Sequence, residues 1–540
     1  MSLPAPAPVL DLPAANLAAV RANGRVSVAR YAPILVVAVA LVAGLAAVDT
    51  LPTGGFYDDA FYVILAKSLA TGHGYRNLNL PGAPFATHYP PGYPLFLAVL
   101  WKIGPAFPAN VLLFKLANVV FLALVAGFAY RLGRERMGLI TGVTVVAVIL
   151  GTATTPALYL SSMVLSETLF LALTLALLLR AERVTTRAVN ARAAIGLGAC
   201  GGLLFLVRSQ AIALIGAIAL SYIVRRRWRE AAAAIGAAGL VMLPWLVWTG
   251  VHDGSVPALM RGDYGSYFAW FLDGVRERGL GIVLQTLTRN APDIFSQVVH
   301  RLQPPTNPLP AVVASLCVAL LGVLGVARLV RRAPVTIAFL GGYLVIAAVW
   351  PFPPLRFLLG VWVLLMLVLA AGVDVLIEGA PSATRLGPHR AVIARAVGAL
   401  ASIVLVGGVV AYNVLGYQRR WWATTQEASA RWIAPKISWV GSRTDTSAVI
   451  ATDHDEGAIY LYTGRRAVPV TTFSASEYVD PRTVEGDVAA LGALVAHFKP
   501  NYIVLSSVRL QAAAAAASVK GVPLNDGVHQ IVPWAFTLSR

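Results

Sequence analysis

The sequence predicts an α-helical polytopic membrane protein with about eleven transmembrane helices and a small C-terminal α/β domain outside the membrane. Three observations predict it. Only 13% of the residues are charged and 58% are hydrophobic, whereas a soluble domain carries roughly 25% charged residues, so too little polar surface exists to coat a chain of 540 residues in water. The apolar residues come in runs of about twenty, the length a helix rising 1.5 Å per residue needs to cross roughly 30 Å of hydrocarbon. Arginines gather in every second connection between those runs, as they do in cytoplasmic loops.

In chain order, residues 1–30 are rich in Ala and Pro and carry Arg21, Arg25 and Arg30 just before the first run, about 31–49. That run exceeds the roughly 7–15 residues of a signal-peptide core, so it reads as an uncleaved first span behind a cytoplasmic tail of 1–30. Further spans fall at about 108–130, 138–157, 163–180, 193–207, 209–224, 232–250, 310–328, 335–350, 355–377 and 394–414, which makes 31–414 the transmembrane domain. The cytoplasmic connections carry Arg131, Arg134 and Arg136; Arg180, Arg183, Arg187 and Arg192; Arg225, Arg226, Arg227 and Arg229; Arg328, Arg331 and Arg332; and Arg385, Arg390 and Arg395. An odd number of spans puts the N-terminus in the cytoplasm and 415–540 outside. The outer connections include two long loops, 50–107 and 251–309, the second holding Tyr264, Tyr267, Trp270 and Phe271. Long loops that are not of low complexity usually carry function.

After about 415, "TSAVIAT", "RAVPV" and "NYIVLSS" read as short buried strands, and "EGAIYLYTG", "DVAALGALVAHF" and "QAAAAAASVK" as helices. Strands alternating with helices predict a mostly parallel sheet. The net charge of +18 does not indicate nucleic acid, because the arginines follow membrane topology and form no basic face interleaved with aromatics. The two cysteines, Cys200 and Cys317, lie inside predicted spans and form no metal-type spacing. No P-loop or Rossmann glycine fingerprint supports a nucleotide-sugar donor.

The first outer loop is the most informative stretch. Phe56-Tyr57-Asp58-Asp59-Ala60-Phe61-Tyr62 is followed by apolar residues at helical spacing, which fit a helix lying in the membrane interface, and then by Thr87-His88-Tyr89-Pro90-Pro91-Gly92-Tyr93-Pro94. The acids Asp58 and Asp59 have two readings: a cap favouring the helix dipole, or a general base that takes the proton of an acceptor hydroxyl attacking a sugar's anomeric carbon. Ser166 and Glu167 begin the fourth span at its outer end. Ser166 reads as a cap, and Glu167 either snorkels or faces the same outer cavity. Arg208, in "FLVRSQ", and Arg356, in "PPLRFLLG", break the expected scarcity of outer cations. They bind headgroups, or they hold a donor phosphate and neutralise it as leaving group.

The order Y-D-D-A-x-Y, H-Y-P-P-G-Y-P, S-E and "PPLRFLLG", all on one side of the membrane, resembles the GT-C superfamily of membrane glycosyltransferases. The resemblance is to the group containing protein O-mannosyltransferases, the lipid A aminoarabinose transferase and lipopolysaccharide-core transferases. "GAIYLYTGRRAVP" resembles that group's outer domain. The resemblance covers most of the chain. It implies a GT-C-like fold and an inverting transferase, metal-independent or loosely metal-linked, at the outer face of a bacterial inner membrane. The donor would be a sugar on a polyprenyl phosphate, and the acceptor a hydroxyl on a cell-envelope glycan, a glycolipid or a protein. The catalytic aspartate would lie in the first outer loop, as Asp58 or Asp59, which the sequence does not separate, with Asp58 favoured as base and Asp59 as an orienting or metal-linked partner.

Lys67 and Arg76 are further phosphate candidates, and Tyr62, His88 and Tyr93 are acceptor or loop candidates. His73, His88 and the acid pair leave a divalent cation open without demanding one. "TDHDEG" at 452–457 reads as loop and cap residues, with His454 and Asp455 able to line an acceptor surface. The expected partners are a polyprenyl-linked sugar, its acceptor and membrane lipids, and no nucleic acid. Two rivals remain: a lipid transporter or flippase, whose charges should lie near the midplane, and a non-catalytic polyprenyl-binding assembly protein.

Overall fold

The structure, a computed structural model, describes residues 14–185, 191–303, 308–378, 388–516, 522–523 and 534–537. The N-terminal part runs α1 (Ala14–Ala47), α2 (Asp58–Ala70), α3 (Gly92–Ile103), α4 (Asn110–Leu132), α5 (Thr141–Thr152), α6 (Thr155–Ser161) and α7 (Glu167–Val184). It continues with α8 (Ala191–Phe205), α9 (Ile212–Ile223), α10 (Trp228–His252), α11 (Arg261–Tyr264), α12 (Tyr267–Arg278) and α13 (Gly281–Leu302). Then follow α14 (Pro308–Arg332), α15 (Pro334–Val349), α16 (Leu355–Leu359), α17 (Trp362–Glu378), α18 (Pro388–Gln418) and α19 (Thr424–Arg443). The last part is β1 (Val449–Thr452), α20 (Glu456–Thr463), β2 (Arg466–Pro469), α21 (Val484–Phe498), β3 (Tyr502–Leu505), α22 (Val508–Ala516), β4 (Val522–Pro523) and β5 (Trp534–Thr537).

The chain is a multi-pass membrane protein. Among the described residues, five stretches are long and apolar enough to cross a bilayer: Arg30–Ala47, Asn110–Met137, Trp228–Ser255, Ala311–Arg332 and Gly398–Gln418. The pair α5–α6, bent by 51°, makes a sixth. Every expected span falls on a helix, but the remaining ones are shorter or more charged than a full crossing. The helices α8, α15 and α17 and the stretch Ser209–Ile223 belong to the apolar class of 10–17 residues, and α7 carries Glu167, Arg180, Glu182 and Arg183. The count of eleven therefore rests on helices that reach less than 30 Å by themselves. Outward-facing Leu240, Leu316, Val323, Leu400 and Ile403 are exposed, a continuous apolar exterior that water would not tolerate.

Between helices in lipid, association rests on close packing rather than on expulsion of water, which favours small residues at contacts. The helices α8 and α10 follow this rule: a Cβ on Gly198 would stand 2.0 Å from the Ala234 carbonyl oxygen. The expected cytoplasmic connections meet at one end of the bundle. Arg183 pairs with Glu135 at 3.2 Å, Arg225 donates to the Thr185 carbonyl, and Arg328 donates to the Gly138 carbonyl at 3.3 Å. Arg187, Arg385 and the side chains of Arg21, Arg25, Arg390 and Arg395 lie outside the described residues.

The other end carries the two long loops and the C-terminal unit as one layer. The expectation of α2 as a surface helix is corrected: Asp59–Ala66 are all buried, and α2 packs between α3 and α20. A helix apolar all round belongs in a core. A Cβ on Gly457 would stand 2.7 Å from the Ala60 Cβ, so glycine lets α20 settle directly on α2. The first loop also docks on β2, through Arg466 to the Leu78 and Leu80 carbonyls and through the Ala467 amide to Asn79. The second loop docks through Trp270 to the Phe473 carbonyl at 2.9 Å.

The C-terminal sheet has the order β2-β1-β3-β5-β4. The three strands expected from the sequence form its parallel part, with β1 paired to β2 and β3. The antiparallel β5 and β4 complete the far edge, and the sequence reading did not find them.

Candidate active site

The site begins at a strained turn. Tyr57, just before α2, has φ 68° and ψ −72°, and the Asp58 amide donates to the Phe56 carbonyl at 2.9 Å. These are the angles and bond of a γ-turn of the rare form. The turn separates the two acids. Asp59 faces back into the loop, where its carboxylate accepts from the Thr53 hydroxyl and from the amides of Gly54, Phe56 and Ala60 at 2.9–3.2 Å. Burial pushes its pKa up, more than these bonds draw it down.

Asp58 faces the membrane helices. One oxygen accepts from the Tyr89 hydroxyl at 2.7 Å and the other from Arg356 Nη1 at 2.5 Å. Burial raises its pKa, but the Arg356 guanidinium and the Tyr89 hydroxyl outweigh it and hold the carboxyl below its usual range. Arg356, on α16, donates through Nε to Glu167 at 2.5 Å. Glu167, at the start of α7, also pairs with Arg208 Nη1 at 2.9 Å. Arg208 donates to the Ser166 hydroxyl at 2.9 Å, and that hydroxyl pairs with the Tyr62 hydroxyl at 3.0 Å. Two carboxylates and two guanidiniums thus form one continuous chain from α2 through α16 and α7 to the α8–α9 turn. Among the described residues no atom accepts from Arg356 Nη2 or Arg208 Nε, although both are buried.

None of the side-chain caps expected from the sequence is made. Tyr57, without a side-chain bond, occupies the position that caps α2, so neither Asp58 nor Asp59 caps it. The Ser166 and Asp455 side chains accept no bond from the helices they precede. Ser166 serves Arg208 instead, and Asp455 pairs with Lys436 at 2.7 Å.

The other candidates lie apart from the chain of charges. Lys67 sits over the Tyr460 ring at 4.6 Å. Arg76 stacks on Phe85 and donates to the Ala83 carbonyl. His88 bonds the Gly265 carbonyl at 2.7 Å and packs on Tyr267; burial pushes its pKa down to about 4, so it is neutral and ties the two long loops together. Tyr93 bonds Asn118 at 3.4 Å and packs against Tyr62. His73 pairs with Thr71 at the exposed end of α2. Among the described residues no group of three or more His, Cys, Asp or Glu side chains could hold a metal ion.

Three participants escaped the sequence reading. Tyr89, inside the H-Y-P-P-G-Y-P stretch, reaches Asp58. Glu456, the last acid of "TDHDEG", accepts from the Tyr57 hydroxyl at 3.0 Å and the Tyr264 hydroxyl at 2.8 Å; burial pushes its pKa up to about 7. Asp263, half-buried near Glu456, is raised well above the carboxylate range by desolvation and by that neighbour's charge.

No family model matches the chain, and no curated protein does. Among solved structures it is similar to ArnT from Cupriavidus metallidurans in the apo state, with a TM-score of 0.53 at 14% identity, over 95% of this chain and 98% of that one. The same protein bound to undecaprenyl phosphate gives 0.51 at 14% identity, over 93% and 97%. The oligosaccharyltransferase of Archaeoglobus fulgidus, tethered with an acceptor peptide, gives 0.51 at 11% identity, over 94% and 74%. At such identities the likeness establishes the fold, and it is the GT-C-like fold expected from the sequence.

Proposed function

We propose that the chain is an inverting glycosyltransferase moving a sugar from a polyprenyl-phosphate donor to a hydroxyl acceptor at the outer face of a bacterial inner membrane. Its N-terminus would be cytoplasmic and 415–540 extracytoplasmic, with 31–414 as the transmembrane domain. The observation that carries the reading is the four-membered charge chain at the end of the bundle opposite the clustered arginines of the expected cytoplasmic connections, with no acceptor for Arg356 Nη2 or Arg208 Nε among the described residues. A buried charged N–H without an acceptor is costly, and a phosphate oxygen supplies the acceptor. The donor class gains support from ArnT bound to undecaprenyl phosphate and from the Archaeoglobus fulgidus AglB complex with a dolichol-phosphate.

In this reading Arg356 and Arg208 hold the phosphate, and Glu167 fixes both arginines. Asp58, kept ionised, removes the acceptor's proton as its oxygen attacks the anomeric carbon. The bond from that carbon to the phosphate oxygen breaks, its electron pair leaves with the polyprenyl phosphate, and the two arginines stabilise the new charge. One displacement inverts the anomeric centre. Asp59 positions the loop, Tyr62 holds Ser166, and Lys67, His88 and Tyr93 act structurally. A transporter would need charges at mid-membrane, whereas this chain of charges lies beside the two long loops that the reading puts outside.

The test is Asp58→Asn in protein reconstituted with an undecaprenyl-phosphate-linked sugar. The variant should bind undecaprenyl phosphate as the parent does and lose transfer by about 10²–10⁴-fold. Transfer at the parent rate would sink the base assignment.

A further inference from the structure

The parallel part of the C-terminal sheet has a topological switch point. From β1 the chain passes to β2 on one side, then crosses to β3 on the other side of β1. In open α/β sheets, ligands bind in the crevice outside the carboxyl ends of the strands that flank such a point. Here those ends are followed by Asp453–Asp455 and Ser506–Val508. They line a cavity of about 600 Å³, whose opposite walls are Gly54–Tyr57 and the α19 residues Ser429, Trp432 and Ile433. A second cavity of about 380 Å³ shares Asp453, His454 and Ser507 and continues toward Thr471, Arg482 and Arg509. His454 stands at their junction with φ 57°, a left-handed conformation uncommon outside glycine.

We infer that these adjoining cavities are the acceptor site, and that the acceptor is a neutral oligosaccharide of at least two sugars, with its reacting end in the larger cavity. The inference rests on the transferase reading and names its substrate class. A sugar presents apolar C–H faces and a rim of hydroxyls. The larger cavity is lined by Trp432, Tyr57 and Phe56 beside Ser429, Ser506, Ser507 and His454. The Ser429 and Ser506 hydroxyls donate to the Gly55 carbonyl and the Asp453 carboxylate, which leaves their oxygens to accept from a sugar hydroxyl. An anionic headgroup is disfavoured, because the cations are engaged within the protein. Lys436 lies between Asp453 and Asp455, Arg482 pairs with Glu477, and Arg509 pairs with Asp487. A single sugar is too small, since clefts of roughly 300–1,000 Å³ take drug-sized molecules and two such spaces adjoin. Tyr57 joins this groove to the chemistry, because the next residue is Asp58.

The test is binding of neutral gluco-, manno- and arabino-oligosaccharides of one to four sugars to the full-length protein in nanodiscs, followed by saturation-transfer NMR. Asp58→Asn keeps turnover out of the measurement. Trimers should bind at least tenfold more tightly than monosaccharides. Trp432→Ala and His454→Gly should each weaken trimer binding at least fivefold while undecaprenyl-phosphate binding is unchanged; glycine suits the His454 backbone, so that variant keeps the fold. Binding by no member of the panel overturns the inference, as does trimer binding indifferent to both variants or preferential binding of a phosphorylated headgroup or a peptide. Those results leave the transferase reading standing, whereas Asp58→Asn protein that still transfers sugar refutes that reading whatever the groove binds.

Discussion

Arg356→Ala tests the charge chain most directly. The arginine donates to Asp58 and to Glu167, each at 2.5 Å. Removing one partner of a buried ion pair costs about 3–5 kcal/mol, because the other charge is left uncompensated. Glu167 keeps Arg208, and the Asp58 side chain retains 14% exposure, which places the loss near the lower end, about 3 kcal/mol. The second effect falls on Asp58, the proposed base. Burial is the largest influence on Asp58 and raises its pKa; Arg356 and Tyr89 presently outweigh it. Without Arg356 the carboxyl titrates at higher pH, so the acid limb of kcat/KM moves upward, each unit corresponding to about 1.36 kcal/mol. In the proposed reading the third effect is loss of a cation at the leaving phosphate, which should lower kcat by about 10²–10³-fold. Sugar transfer from an undecaprenyl-phosphate donor in proteoliposomes, followed from pH 4 to 8 beside undecaprenyl-phosphate binding, reads the last two effects. Arg356→Lys restores one charge but cannot bridge two acids, and should recover lipid binding more than it recovers the pH profile. An unmoved acid limb together with unchanged lipid affinity in Arg356→Ala would refute the reasoning.

Asp59→Asn should lower the thermal midpoint by several degrees, since its carboxylate holds the loop through four bonds, yet leave more transfer activity than Asp58→Asn; equal loss in both would put Asp59 in the chemistry. Glu456 has a folded pKa of about 7 against an ordinary value near 4.5, so it contributes roughly 3 kcal/mol that is fully present below pH 4.5 and lost as pH rises through 7. Protection of the 53–57 loop from hydrogen exchange should therefore fall between pH 5 and 8, and Glu456→Gln should flatten that dependence. Gly198→Val should abolish the monodisperse peak in detergent chromatography, because its Cβ would meet the Ala234 carbonyl oxygen at 2.0 Å.

What was legible in the sequence had a local signature. Hydrophobic length marks the helices, and charge in the wrong place marks Arg208 and Arg356, since outer connections should lack cations. Glu167 was visible for the same reason at the head of a span. Asp58 and Asp59 could not be told apart, because neighbours on a helix differ by about 100° and either could face inward; the γ-turn at Tyr57, which has no Gly or Asn to announce it, decides the direction. Lys67 and His88 lay in the right loop, but their side chains are taken by Tyr460 and Gly265, partners that only the fold brings near. Glu456 was hidden by the same distance: its partners Tyr57 and Tyr264 stand 399 and 192 residues away in sequence. The β5–β4 pairing was missed because two residues of β4 carry no readable alternation.

The strain at Tyr57 explains why a membrane bundle and an α/β unit are built as one object. A positive φ on a bulky residue persists only where its surroundings over-determine it. Four attachments do so here. Asp59 draws the preceding loop inward through four bonds, Phe61 packs on the Tyr57 ring at 4.7 Å, and from the C-terminal unit His454 packs edge-on against that ring at 5.9 Å while Glu456 takes the Tyr57 hydroxyl. The last two come from outside the bundle, and Gly457 beside Glu456 brings α20 against α2. Losing the α/β unit would remove two of these four restraints on the residue that aims Asp58, so the two parts cannot be separated without loosening the carboxylate. The same turn directs the Tyr57 ring toward the crevice at the ends of β1 and β3 and the Asp58 carboxylate toward Arg356. Adjacent residues thereby face opposite sides, one the crevice of the α/β unit and one the membrane helices; in the proposed reading that arrangement would bring an acceptor in the crevice and a lipid-borne donor to a single carboxylate.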